Sequence, residues 1–228
     1  YPSPYAIIDL WVRYGADPRT GYEAEKRSIA KLAVTATARN LVRVFLLQDA
    51  LKSQGSKQPQ AIERVHVIGA GVMGGDIAAW CALRGLQVTL QDREARYVQP
   101  ALARAEALFE KRIRDDAARV AARSRLVADV EGAGLATADV VIEAIVEDVA
   151  VKRALYADIE ARLKPDAVLA TNTSSIVLEE LAAALTKPGR LVGLHFFNPV
   201  AQMPLVEIVC GVASAPASIA TAIALTRK

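Results

Sequence analysis

At 228 residues the chain holds one full domain and part of another, on a prior of roughly 150 residues per domain. Hydrophobic residues make up 53% and charged residues 23%, which excludes a disordered chain, and no apolar run approaches the ~18 residues that cross a bilayer. The formal net charge of +3 sits at the front, where the first sixty residues carry nine Lys or Arg against five Asp or Glu; no dense basic patch with interleaved aromatics points to nucleic acid.

The chain opens YPSPY, with no charged-then-apolar leader, and reads as a piece of a longer polypeptide. Residues 1–20, rich in Pro, Tyr and Asp, predict loop with one short turn of helix. Residues 22–52 predict a long amphipathic helix, or two in line. Leu32, Ala33, Ala36, Leu41, Val44, Phe45, Gln48 and Leu51 recur there at three-four spacing. SQGSKQPQ (53–60) is a polar linker. We therefore expect a helical linker segment over 1–60 and a separate domain over 61–228.

From residue 62 strands alternate with helices. RVHVIGA is a strand ending in Gly, VMGGDIAAWCALRG a helix closed by Gly85, and LQVTLQD a second strand. A charged helical stretch follows, from about Glu94 to Arg123. DVVIEAI (139–145) predicts a strand, Val149 to Leu163 a helix stopped by Pro165, and AVLATNT (167–173) a strand. LEELAAAL (178–185) predicts a short helix. RLVGLHFF (190–197) and LVEIVCG (205–211) predict two strands, and a helical segment begins at Ser214. This order predicts an α/β fold, a doubly wound, mostly parallel Rossmann-type sheet with helices on both faces. Strands buried on both faces explain runs as apolar as ADVVIEAI. Cys81 and Cys210 lie far apart in apolar segments without ligand or redox spacing, so two buried thiols in a reducing compartment are expected.

Gly69-Ala-Gly71-Val72-Met73-Gly74 matches GxGxxG between a strand and a helix, the context that gives this motif meaning. Gly69 allows the tight turn, Gly71 lets backbone approach a pyrophosphate, and Gly74 lets helix and strand pack closely. The helix N-terminus offers free N–H groups and partial positive charge. Asp92 ends the second strand, where a carboxylate binds both ribose hydroxyls and repels a 2′-phosphate, favouring NAD over NADP.

Three polar clusters follow later strands. Glu143, Glu147, Asp148 and Lys152 read either as acids at a helix N-terminus or as a cofactor-ribose site. Thr171-Asn172-Thr173-Ser174-Ser175 reads either as turn and capping chemistry or as donors facing a substrate oxygen. His195, in LHFFNPV, would by itself more often be a satisfied core histidine. Glu207 lies on the next strand, past NPVAQMP, where a carboxylate could hold the imidazole as in base-plus-orienter catalysis.

Together VIGAGVMGGDIA, VIEAIVED, TNTSS, GLHFFNPV and MPLVEIV resemble the L-3-hydroxyacyl-CoA dehydrogenase family over residues 62–228. YPSPYAIIDL and NLVRVFLLQDALK are similar to the segment that joins an enoyl-CoA hydratase domain to the dehydrogenase in multifunctional fatty-acid oxidation enzymes. The resemblance implies NAD-linked oxidation of (S)-3-hydroxyacyl-CoA in fatty-acid β-oxidation. His195 would be the base, Glu207 its orienter, and Ser174 and Asn198 contacts to the reacting oxygen. Gly69, Gly71, Val72, Met73, Gly74, Asp92, Glu147, Lys152 and Asn172 would hold NAD. Basic residues Arg104, Lys111, Arg112, Arg114 and Arg119 either meet CoA phosphates or form a solvated face.

Family members continue into an all-helical domain that closes over the substrate. The chain stops before that domain, so NAD(H) binding with little or no turnover is expected of it. The resemblance also implies a thiolase subunit as a partner of the parent protein, this chain by itself a monomer, and a bacterial cytoplasm or, in a eukaryote, a peroxisome. Two alternatives remain: a dehydrogenase of free 3-hydroxy acids, which Asp92 and the His195–Glu207 pair count against, and a nucleotide-binding module without turnover.

Overall fold

The computed structural model describes residues 1–15, 17–53 and 61–228. It divides into two compact units, Tyr1–Gln54 and Gly55–Lys228. Beyond Ser53 the expected polar linker lies outside the described residues up to residue 60.

The first unit is three helices, α1 (Ser3–Tyr14), α2 (Pro18–Ala33) and α3 (Ala36–Ser53). A loop was expected at the front because of its prolines. Pro in a first helical turn costs nothing, since its missing N–H would have no partner there, and α1 runs twelve residues until Gly15 ends it at φ +53°. Asp17 caps α2 by accepting from the Arg19 N–H at 3.0 Å and the Thr20 hydroxyl at 2.8 Å. Those two hydrogen bonds hold its carboxyl below the usual range. Residues 22–52 form two helices because Thr35 breaks them. Its hydroxyl donates to the Leu32 carbonyl at 2.6 Å and accepts from the Ala38 N–H at 3.2 Å. Of the apolar positions expected there, Leu41, Val44, Phe45 and Leu51 are exposed among the described residues.

The second unit is an α/β sandwich. In chain order it contains β1 (Arg64–Ile68), α4 (Val72–Leu83), β2 (Gln87–Gln91), α5 (Ala95–Arg112), α6 (Asp116–Ser124) and β3 (Leu126–Ala128). Then come β4 (Val140–Glu143), α7 (Val149–Ile159), β5 (Val168–Thr171), α8 (Leu178–Ala182), β6 (Leu191–Phe196), β7 (Val206–Val209) and α9 (Pro216–Thr226). The sheet order is β3-β2-β1-β4-β5-β6-β7, every pair parallel except the last. Chain order reverses between β1 and β4, and in such sheets ligands bind at that switch, outside the carboxyl ends of the strands.

Strand alternation sends side chains to two cores. Val65 and Val67 of β1 and Val140 and Ile142 of β4 pack with Ile77, Phe109 and Leu225 from α4, α5 and α9. Ile68 and Val141 pack on the other face with Tyr156 and Leu181 from α7 and α8. The charged stretch 94–123 is two helices, because Asp115 caps α6 by accepting the Ala118 N–H at 2.7 Å. β3, only three residues long, was not expected from the sequence. No described helix is long and apolar enough to cross a membrane. Cys81 is buried as expected, and burial pushes its thiol up to about 12, whereas Cys210, just past β7, is exposed.

His66, on β1, is fully buried. Its Nε2 donates to Gln91 Oε1 at 2.9 Å, and its Nδ1 accepts from the Thr89 hydroxyl at 2.7 Å. Burial lowers its pKa from the ordinary 6.5. Below 6.5 the unfolded chain therefore binds a proton that the folded chain does not. The stability this supplies is complete above pH 6.5 and is lost as the pH falls through the lowered folded value. Urea midpoints at pH 7.5 and 5.5 should show the wild type losing stability in acid, and His66→Gln losing less. Equal acid sensitivity in both would assign the titration elsewhere.

Candidate functional site

Parallel pairing sets the ends of β1, β4, β5 and β6 side by side. The Gly69 N–H donates to Gln91 O at 2.8 Å, Ala144 N–H to Ile68 O at 2.8 Å, and Asn172 N–H to Glu143 O at 2.8 Å. The loops after these strands carry Gly69, Gly71, Glu147, Asn172, Ser174 and Asn198.

The glycine turn has three distinct geometries. Gly69 adopts φ +101°, and a Cβ there would lie 2.5 Å from the Ala144 carbonyl oxygen. A Cβ at Gly74 would run into the Gly69 carbonyl. At Gly71, the N-cap of α4, a Cβ would meet nothing within 4 Å. The first two glycines make room for protein, whereas Gly71 faces open space in front of the helix. There the first N–H groups of α4 lack intrahelical acceptors. Val72 is exposed at the mouth, and Met73 packs inward on the core. Asp92 is pinned against this turn, its Oδ2 accepting from the Ala70 N–H at 2.7 Å and its Oδ1 from the Arg93 N–H at 2.7 Å.

Glu143 is wholly buried and fully partnered. It accepts from Lys152 Nζ at 2.6 Å, Tyr156 OH at 2.7 Å, Thr171 Oγ1 at 2.9 Å and the Ile145 N–H at 2.8 Å. Burial, together with the Glu143 charge, pushes the Tyr156 phenol pKa upward. Lys152, only 1% exposed, also lies 3.5 Å from Glu147 Oε2. Expected beside a ribose, Lys152 instead turns inward and serves as the anchor between two glutamates. Glu147 is the half-exposed member, accepting from the Thr173 hydroxyl, the Ser174 N–H at 3.1 Å and the Ser175 hydroxyl at 3.4 Å. Burial opposes its charge, but the Thr173 hydrogen bond and the Lys152 charge outweigh it, and its pKa is lowered. A carboxylate thus shapes the loop that carries Ser174, which is exposed. Asn172 has a structural partner too, its Oδ1 accepting from the Phe196 N–H at 2.9 Å. That bond joins this loop to β6.

His195 and Glu207 stand opposite each other across the antiparallel β6–β7 pair. His195 Nδ1 lies 2.9 Å from Glu207 Oε2. A carboxylate only accepts, so Nδ1 carries the hydrogen and Nε2 keeps its lone pair. Nε2 has no hydrogen bond among the described residues. Phe197 packs on the imidazole at 4.6 Å between ring centroids. Asn198 is exposed just past β6. The turn it begins is held by Arg112, which donates to the Ala201 carbonyl at 2.7 Å and lies 5.7 Å from the Trp80 ring centroid.

The basic residues read either as phosphate contacts or as a solvated face are partly engaged within the protein. Arg119 pairs with Asp116, Arg123 with Glu106 and Arg112 with the turn, while Lys111 and Arg114 stay exposed. Arg104 alone reaches the glycine turn, donating to Gly71 O at 2.9 Å. Sequence reading placed Arg104 in the group without separating it. Asp76 and Gly75, which follow the GxGxxG and hold Arg104 in place, were the available signal.

Residues 64–228 match the family described as 3-hydroxyacyl-CoA dehydrogenase, NAD binding domain. The whole chain is 38% identical over 237 residues to a fatty acid oxidation complex subunit alpha of Psychrobacter arcticus, and 36% over 238 residues to one of Pseudomonas putida. It spans 33% of the length of each, so it covers about a third of the curated relatives it matches. Among solved structures it is similar to 3-hydroxybutyryl-CoA dehydrogenase from Escherichia coli K12, at 37% identity and TM-score 0.70, over 73% of this chain and 36% of that one. It is also similar to (S)-3-hydroxybutyryl-CoA dehydrogenase PaaH1 from Ralstonia eutropha, at 34% identity and TM-score 0.69, over 73% of this chain and 60% of that one.

The glycine geometry separates folding from binding. Gly74→Ala should cost about 1–3 kcal/mol, the usual range for overpacking. Gly71→Ala should cost under about 1 kcal/mol, the scale of an N-cap change, yet weaken dinucleotide affinity. Urea unfolding and a nucleotide titration on both variants check this; a stability loss at Gly71 equal to that at Gly74 would contradict it.

Proposed function

The chain belongs to the 3-hydroxyacyl-CoA dehydrogenase family through its NAD-binding domain, and on that premise we propose that it oxidises the 3-hydroxyl of a 3-hydroxyacyl-CoA in fatty-acid oxidation. The observation that carries this reading is the His195–Glu207 hydrogen bond at the carboxyl edge of the sheet. A dinucleotide fits the residues present: Gly71 leaves space for backbone approach, and Asp92 is held where the adenosine ribose would lie. NAD, when bound, supplies the ring that accepts a hydride. Gly69, Gly71, Val72, Met73 and Gly74 would hold its phosphates, and Asp92 its ribose.

His195 receives the proton of the substrate hydroxyl at Nε2 as the carbonyl forms. Glu207 fixes the tautomer beforehand and stabilises the imidazolium afterwards. Removing a carboxylate from such a pair leaves the ring free to rotate and to protonate on the wrong nitrogen. Ser174 and Asn198, both exposed at this edge, would donate to the reacting oxygen. Glu147 would orient Ser174 and reach the cofactor ribose, with Lys152 acting through it and Asn172 keeping the loop on β6. Residues 1–60 would join this domain to a hydratase-type one in the parent protein, as the relatives' length and naming suggest. A thiolase partner for the parent protein and a bacterial cytoplasmic location are part of the same proposal; relatives that are bacterial and named as the alpha subunit of a complex support a further subunit and a bacterial source. The chain by itself would be a monomer.

Fluorescence titration should show NADH binding more tightly than NADPH, with Asp92→Ala erasing the preference by roughly 10–100-fold, the scale of a charged hydrogen bond. In the intact parent protein, His195→Gln should retain NADH affinity and lower the NADH-linked reduction of acetoacetyl-CoA by about 10²–10⁴-fold, the range for a lost general base. Reduction at the wild-type rate by His195→Gln would take His195 out of the chemistry.

A further inference from the structure

Arg104 sits in the middle of α5 and reaches back over the first turn of α4. One guanidinium nitrogen donates to Gly71 O at 2.9 Å, and Nε lies 3.3 Å from Asp76 Oδ1. Gly75 makes the reach available, since a Cβ there would stand 2.7 Å from both Ala101 Cβ and the guanidinium. The Arg104 side chain stays 39% exposed, so the charge is held in place but not enclosed.

Each contact has a consequence for an anion at the glycine turn. Gly71 is the one residue of the turn whose missing Cβ opens on free space. Its peptide orientation decides where the turn's N–H groups point. Its carbonyl accepts from the Gly75 N–H at 3.0 Å and from Arg104 at 2.9 Å, and the two bonds together fix that orientation before any ligand arrives. The guanidinium has five N–H groups and does not deprotonate. Those not used on Gly71 and Asp76 remain for an anion. A helix N-terminus offers only about half a charge, and Arg104 adds a whole one beside it. Asp76 keeps the side chain from swinging into solvent and cancels part of its long-range field, so the effect is local.

We infer that Arg104 is a positioning residue for the dinucleotide pyrophosphate, acting through the Gly71 peptide and its own charge. This rests on the reading of the glycine turn as the dinucleotide site. The test is a titration of wild type, Arg104→Gln and Arg104→Lys with NADH, at two salt concentrations. Adenosine is measured by competition and CoA separately, with urea midpoints alongside.

Arg104→Gln should raise the NADH dissociation constant roughly tenfold, one charge-assisted contact, and flatten its salt dependence. Adenosine, without phosphate, should bind all three proteins alike, and Arg104→Lys should recover part of the loss. Unchanged NADH affinity in Arg104→Gln overturns the inference. So does an equal loss for NADH and adenosine, which marks general disruption, or a loss confined to CoA, which assigns the charge to a substrate phosphate. If wild type does not bind NADH at all, the dinucleotide reading fails and takes this inference with it.

Discussion

Parallel pairing of β1, β2, β4, β5 and β6 is the constraint from which the rest follows. It places every strand's carboxyl end on one edge, so residues far apart in sequence meet in the loops there. The glycine turn after β1, Asp92 after β2, Glu147 beyond β4 and Ser174 beyond β5 share that edge for this reason alone. β7 departs from the rule usefully. By running antiparallel to β6 it brings Glu207 back opposite His195, a pairing that no parallel neighbour reached through a helix would give so directly.

The edge is stiffened by a buried charge rather than by apolar packing. Glu143 would be costly to bury unpaired, but three side chains and one N–H satisfy it. Its partners come from β5, α7 and the β4–α7 loop, so the carboxylate joins three elements at once. Lys152 passes the constraint to Glu147, and Glu147 to the loop of Ser174. The exposed groups of the site therefore stand on an internal scaffold of hydrogen bonds. The two histidines show the same logic in opposite form. His66 is closed in by partners on both nitrogens and takes the Nε2–H tautomer. His195 is held on one nitrogen only and takes the other.

Much of this was legible in the sequence because the signals were local. Short apolar runs marked most strands, and GAGVMG between a strand and a helix marked the turn. What escaped was decided by single side chains or by tertiary pairing. Pro2 and Pro4 suggest a loop, yet proline in a first turn leaves α1 intact. Asp115 divides a charged stretch that reads as one helix, and Thr35 decides between the one helix and the two in line that the spacing over 22–52 allows. The three residues of β3 are too few for periodicity to register. The inward turn of Lys152 depends on Glu143 being buried, which spacing along α7 does not reveal. Arg104 resembled any other basic residue on a charged helix until Gly75 gave it a path to the turn.

The central claim is that Glu207 sets His195 as a base with a free Nε2. Nitrogen-15 NMR of the labelled imidazoles at pH above their titration tests it most directly. The account predicts Nδ1–H at His195 and Nε2–H at His66, with Glu207→Gln disturbing the first and not the second. An Nε2–H tautomer at His195 in the unsubstituted protein would contradict it.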